Sequence, residues 1–196
     1  GYRNRMRAAG RARAAARAQA NQAFRDAVAP ARQALVAALA AATSGPQRRA
    51  AKIAYGDAIL PAKVARKAAL QSARIDYVEA AEQARIDFLT IRGAHPEVVA
   101  SARYRQAVNL ATAEYRAAVT DAQATFRIQS APIRITTRTA GSSASAGQVS
   151  HGAAESIRIA TADITGVFRS QVSSARATYQ AKISVARKIL GTSLAT

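Results

Sequence analysis

Aromatic residues return every eleven positions along this chain, and that spacing constrains its fold more than any other feature. Residues 104–111 align with 115–122, and Phe126-Arg127 opens the next unit. The unit recurs at 168–175 and 179–186, and earlier at 24–31 and 55–62. A related pair is Ala73-Arg74-Ile75-Asp76-Tyr77 and Ala84-Arg85-Ile86-Asp87-Phe88. Each unit places an aromatic at position 1, usually Arg at 2, Val or Ile at 5 and Ala at 8. Steps of four, seven and eleven fall on one helical face. Eleven residues in three turns is about 3.67 per turn, so the stripe stays nearly straight or drifts into a slight right-handed supercoil. The packing stripe expected on this basis comprises Phe24, Val28, Tyr77, Phe88, Tyr104, Val108, Tyr115, Val119, Phe126, Phe168, Val172, Tyr179 and Ile183. The position-2 Arg lies beside this stripe, where it can snorkel to water, pair with a neighbouring acid or hold a phosphate.

The fold class that follows is all-α: long, partly Pro-kinked helices forming an extended helical bundle or open helical hairpins. A helix of about 40 residues is about 60 Å long, and several of these do not make a sphere. A first helix is expected over 2–43, kinked at Pro30 and ended by Ser44-Gly45-Pro46. A second runs over 47–92, weakened by Gly56 and Pro61 and stopped at Gly93. A third opens at Pro96, with Glu97 favouring the helix dipole, and ends near Gln129 ahead of Pro132. A fourth, C-terminal helix spans 153–191 and stops at Gly191. Residues 130–152 read as a non-helical linker. Its 132–139 part is β-branched and loosely alternating, which suggests a short extended segment, and 140–147 is Ser/Gly-rich. The whole of 1–196 reads as one elongated helical unit whose first 20 residues form a basic Arg/Ala helix.

Composition sharpens this picture. Leu, Ile, Val and Phe number only 37 of 196 residues and the net charge is +18, a combination typical of disorder. The 53 alanines oppose that reading, because alanine is the strongest helix former. Alanine faces let helices approach closely but remove little apolar area, so order is expected to depend partly on other copies of the chain or on a ligand. There is no cysteine, which excludes disulfides and thiol chemistry. The longest strongly apolar run, 34–42, is too short to cross a bilayer as a helix. The Arg/Ala-rich, acid-poor start has the composition of an organelle-targeting segment and is read as a functional part of the chain.

Residues that could carry chemistry are few. His95 and His151 stand near expected helix starts, without a partner at metal-ligand spacing. Glu97 and Glu155 follow them as first-turn acids. Asp76, Glu79, Glu82 and Asp87 lie among Arg74 and Arg85, where Glu82 and Arg85 suit a surface ion pair. No phosphate loop, nucleophile elbow or paired-carboxylate pattern occurs. No catalytic residue, cofactor or metal is expected, and the chain reads as a non-enzyme.

The basic residues are the sharper signal. Of 29 Lys and Arg only five are Lys, and the planar guanidinium fork suits phosphate. Arg3, Arg5, Arg7, Arg11, Arg13 and Arg17 occur without an intervening acid, and Arg48 and Arg49 add a second cluster. On a helical wheel all of the first six but Arg5 fall within roughly a 160° arc. Ala8, Ala12, Ala15, Ala16 and Ala23 lie on the other side, free to meet a protein neighbour. These eight arginines are the candidate phosphate contacts, and nothing near them suggests base reading. The leading expectation is a structural protein that self-assembles, as a coat or architectural filament subunit, and grips the backbone of double-stranded nucleic acid. A surface filament subunit without nucleic acid is the alternative. An amphipathic binder of anionic membranes is a weaker one, because the stripe is alanine-diluted and lacks Trp. A virion, a nucleoprotein assembly or an extracellular filament would each be compatible.

Overall fold

A computed structural model describes residues 1–143 and 151–194, with side chains for 1–133 and 154–192. The described residues form α1 (Tyr2–Ala41), α2 (Gly45–Ala58), α3 (Leu60–Ile91), α4 (Pro96–Ser143) and α5 (His151–Leu194), with no strand among them. Helices α2 and α3 make one bent rod, so four long rods pack antiparallel as a helical bundle.

The breaks follow local chemistry. Ser44 caps α2: its hydroxyl accepts from Gln47 N–H while the Gln47 side chain accepts from Ser44 N–H, a reciprocal capping box. The Ser44-Gly45-Pro46 segment therefore begins a helix as much as it ends one. The bend falls at Ile59, where Pro61 occupies the first turn of α3 and supplies no amide to the preceding turn. Gly93 stops α3 with φ 67, a left-handed conformation that favours glycine, and Ala94 N–H reaches back to Leu89 C=O at 3.0 Å. The carbonyl of His95 accepts from Val98 and Val99 as α4 begins.

The structure corrects the expected ends of the last two rods. Residues 130–143 are helical, so neither the linker nor the extended segment at 132–139 forms there; 144–150 lie outside the described residues. Pro132 removes one hydrogen bond, but the seam continues through it: Phe126, Ser130 and Ile133 are half-buried at helical spacing. Packing along that stripe outweighs the β-propensity of the segment. Gly191 does not stop α5, which continues to Leu194, and Gly93 is the only described glycine with positive φ. Helix α1 runs through Pro30, within the span expected for the first rod.

The rods lie side by side as an open layer. Among the described residues, substantial contacts join α1 to α2 and α3, α3 to α4, and α4 to α5, and no substantial contact closes α1 against α5. Helix α4 shows why. It buries Ala102, Ala113 and Ala124 on one side and Ala111 and Ala122 on the other. Nine steps of about 100° bring the helix half a turn round, so the two series face opposite ways. Ala113 borders the groove against α3, and Ala111 the groove against α5. Among the described residues, alanine supplies ten of the thirteen buried apolar ones, which lets rods approach closely without building a thick core. The chain exposes 13090 Å², against about 8,900 Å² for a compact 20.5 kDa monomer.

Candidate anion-binding face

The α1–α3 and α4–α5 seams are ladders of position-1 residues. Between α4 and α5, Tyr115 meets Tyr179 and Phe126 meets Phe168, with ring centroids 5.4 and 5.5 Å apart. Between α1 and α3, Tyr2 meets Phe88 at 5.2 Å. The next two rungs there are mixed: Arg13 lies over Tyr77 at 5.0 Å and Arg66 over Phe24 at 5.2 Å. Arg13 stands eleven residues after Tyr2, so a guanidinium fills the aromatic position and binds the opposing ring through its π face. The stripe residues thus line the seams. Of them only Val28 is buried; Phe88 stays partly exposed and the rest are half-buried, because each rod of an open layer is covered on its packed sides only.

The eight candidate arginines divide. Arg3, Arg7, Arg11 and Arg17 are exposed along α1, and Arg48 and Arg49 are exposed at the start of α2. Arg5 forms an ion pair with Asp87 of α3, and Arg13 is engaged with Tyr77. The buried alanines of α1 are Ala9 and Ala20, seven residues after Tyr2 and Arg13, while Ala8, Ala12, Ala15 and Ala23 stay exposed. Seam phase, not alanine content, selects the face that packs.

Antiparallel pairing organises the remaining charges. One position past a seam residue lies about 100° round the helix, and eight positions past it about 80°. Two antiparallel rods meeting at position 1 are related by a two-fold axis normal to the layer, so both turn these flanks to the same face. Positions 2 and 9 carry fourteen of the 29 basic residues: Arg3, Arg25 and Arg32 on α1; Lys63, Lys67, Arg74 and Arg85 on α3; Arg105, Arg116 and Arg127 on α4; Arg158, Arg169, Arg176 and Arg187 on α5. The two pairs of rods share that face, since Arg74 of α3 and Arg116 of α4 line one groove. Glu82 reaches the same groove, where it accepts from Asn109 at 2.6 Å and not from Arg85 as the sequence suggested.

The opposite face is balanced. Asp87 holds Arg5 and Glu114 holds Lys182, and Arg103 borders the same groove as Asp87. Glu155 pairs with Arg158 beyond the first turn of α5; the guanidinium holds its carboxyl below the ordinary range and is itself raised. His95 is exposed in the turn before α4, and among the described residues no cluster of acids and histidines suits a metal ion. No described helix is long and apolar enough to cross a membrane.

Reading the sequence one arginine at a time missed the position-9 residues. The signal was present, since Lys63, Arg74 and Arg85 recur at eleven, as do Arg176 and Arg187. It acquires meaning only once the rods are known to be antiparallel in a single layer. No protein-family model, curated protein or solved structure matches this chain.

Proposed function

We propose that this protein is a non-enzymatic structural subunit that assembles with copies of itself and grips the phosphate backbone of double-stranded nucleic acid without reading its sequence. The observation that carries this reading is the open layer: 13090 Å² of exposed surface on a chain of net charge +18. A chain this open gains stability by covering its edges. Helix α5 leaves Ile159, Val167, Val185 and Ile189 exposed off its one seam, which favours further copies as the cover. Packing +18 subunits together raises mutual repulsion, which a polyanion threaded through the assembly relieves.

Two measurements on the full chain test this. Gel shift with unrelated duplexes of equal length is expected to give equal affinities that fall steeply between about 50 and 200 mM salt. Light scattering and electron microscopy are expected to show assemblies larger than one chain, with absorbance at 260 nm in native material. Absence of duplex binding at low salt, or a persistent monomer at high concentration, contradicts the reading.

A further inference from the structure

The basic face has an internal order that Arg7 and Arg11 of α1 lack. The ring pairs Tyr115–Tyr179 and Phe126–Phe168 fix the register of α4 against α5. In it Arg187 is level with Arg105, and Arg176 with Arg116, to within about two residues or roughly 3 Å of rise. Gln106 reaches Gln83 and Asn109 reaches Glu82, which fixes α3 against α4. That register brings Arg85 level with Arg105, and Arg74 level with Arg116. The basic residues therefore form rungs across three rods, Arg85–Arg105–Arg187 and Arg74–Arg116–Arg176. Lys63 and Arg169 continue the series one unit further on. Rods packed about 8–10 Å apart make each rung about 18 Å wide, and successive rungs stand eleven residues, about 16.5 Å, apart.

Resting on the function proposed above, we infer that this grid on α3, α4 and α5 is the phosphate grip, and that its ligand is a nucleic-acid duplex lying along the rods. A duplex repeats every 34–36 Å or so. Its two strands together bring a backbone to a flat surface about every 17 Å on average, the two grooves being unequal. The rung spacing matches that interval, so successive rungs meet successive backbone crossings. A single strand is disfavoured because the rings that would stack on its bases are held in the seams. A lipid surface is disfavoured because the exposed apolar residues of α5 lie off this flank. Val167 and Ile189 each precede a seam residue, whereas Arg169 follows one. On the balanced face Arg5 and Lys182 already have carboxylate partners.

The experiment measures fluorescence anisotropy of a random duplex, the corresponding single strand and vesicles of phosphatidylserine with phosphatidylcholine, across a salt series. A grid variant combines Arg105→Gln, Arg116→Gln, Arg176→Gln and Arg187→Gln. An edge variant combines Arg7→Gln and Arg11→Gln, which lie off positions 2 and 9. These side chains are exposed, and circular dichroism checks that both variants remain helical. The grid variant is expected to lose duplex affinity by at least about thirtyfold near 0.1 M salt, and its slope of log affinity against log salt to fall by about 3.6. The edge variant should lose less than about threefold, and Arg→Lys at the four grid positions should restore the slope. If the edge variant carries the loss while the grid variant binds normally, the grid assignment is overturned and the function above stands. If the wild-type chain binds vesicles and no duplex, both fall.

Discussion

The α4–α5 and α1–α3 seams share one geometry and differ in what fills it. Both are antiparallel, and both stack position-1 residues at eleven-residue intervals. The α4–α5 seam fills its rungs with rings on both sides, Tyr115 on Tyr179 and Phe126 on Phe168, and backs them with Ala111 and Ala122 at 2 % and 4 % exposure. The α1–α3 seam keeps one ring pair, Tyr2 on Phe88, and then sets a guanidinium against a ring twice. Arginine at a seam position keeps its charged head near water while its stem packs. The α1 edge therefore holds through weaker, more hydrated contacts than the C-terminal hairpin. The repeat specifies register, and the chemistry of each rung sets strength.

The largest effect should come from crowding the tighter seam. Ala111→Leu with Ala122→Leu is expected to destabilise the chain by about 4 kcal/mol, since each overpacked site costs about 1–3. Ala9→Leu with Ala20→Leu in the looser seam should cost about 2, and the exposed pair Ala12→Leu with Ala15→Leu under about 0.5. Urea unfolding followed by circular dichroism ranks the three, and equal losses would dissolve the distinction between seams. Next come the rungs themselves. A double-mutant cycle on Tyr115 and Tyr179 should give a coupling of about 1 kcal/mol, and one on Arg13 and Tyr77 about 0.5. A larger coupling for the mixed rung would reverse the comparison.

The smallest effects belong to the ion pairs, one beside each seam. Arg5 and Asp87 have side chains 56 % and 32 % exposed, and Lys182 and Glu114 48 % and 35 %. Solvent at that exposure screens most of the attraction. Arg5→Gln and Lys182→Gln should each shift stability by under about 0.5 kcal/mol at physiological salt, read from thermal melts. A loss beyond about 1 kcal/mol in only one seam would show that charge, not ring packing, separates the two.

Much of the fold was legible from local chemistry. Pro96 after a turn, Gly93 before it and Pro61 within a helix pattern mark boundaries because each fixes or frees a backbone angle. The stripe was legible because aromatics at eleven-residue steps must share a face. Around Pro132 the same local reasoning failed. Proline and β-branched neighbours argue against helix, yet α4 continues: Phe168 of α5 meets Phe126 just before Pro132, and Ile133 just after it is half-buried. Candidate contacts were legible as residue types and only partly as places. Arg5 and Arg13 look like Arg3 and Arg7 in sequence, and only the approach of α3 gives them Asp87 and Tyr77.

By itself the sequence determined that long rods exist and that the aromatic stripe packs, because these depend on neighbours within about eleven residues. It also determined the excess of guanidinium groups, a net charge of +18. Only the tertiary structure decided that the rods lie in one open layer, since that depends on Ala102, Ala113 and Ala124 packing on one rod while Ala111 and Ala122 pack on another. From that came the separation of charge between two faces. A flank has a direction only after its helix has a neighbour, and antiparallel neighbours turn the same flank the same way.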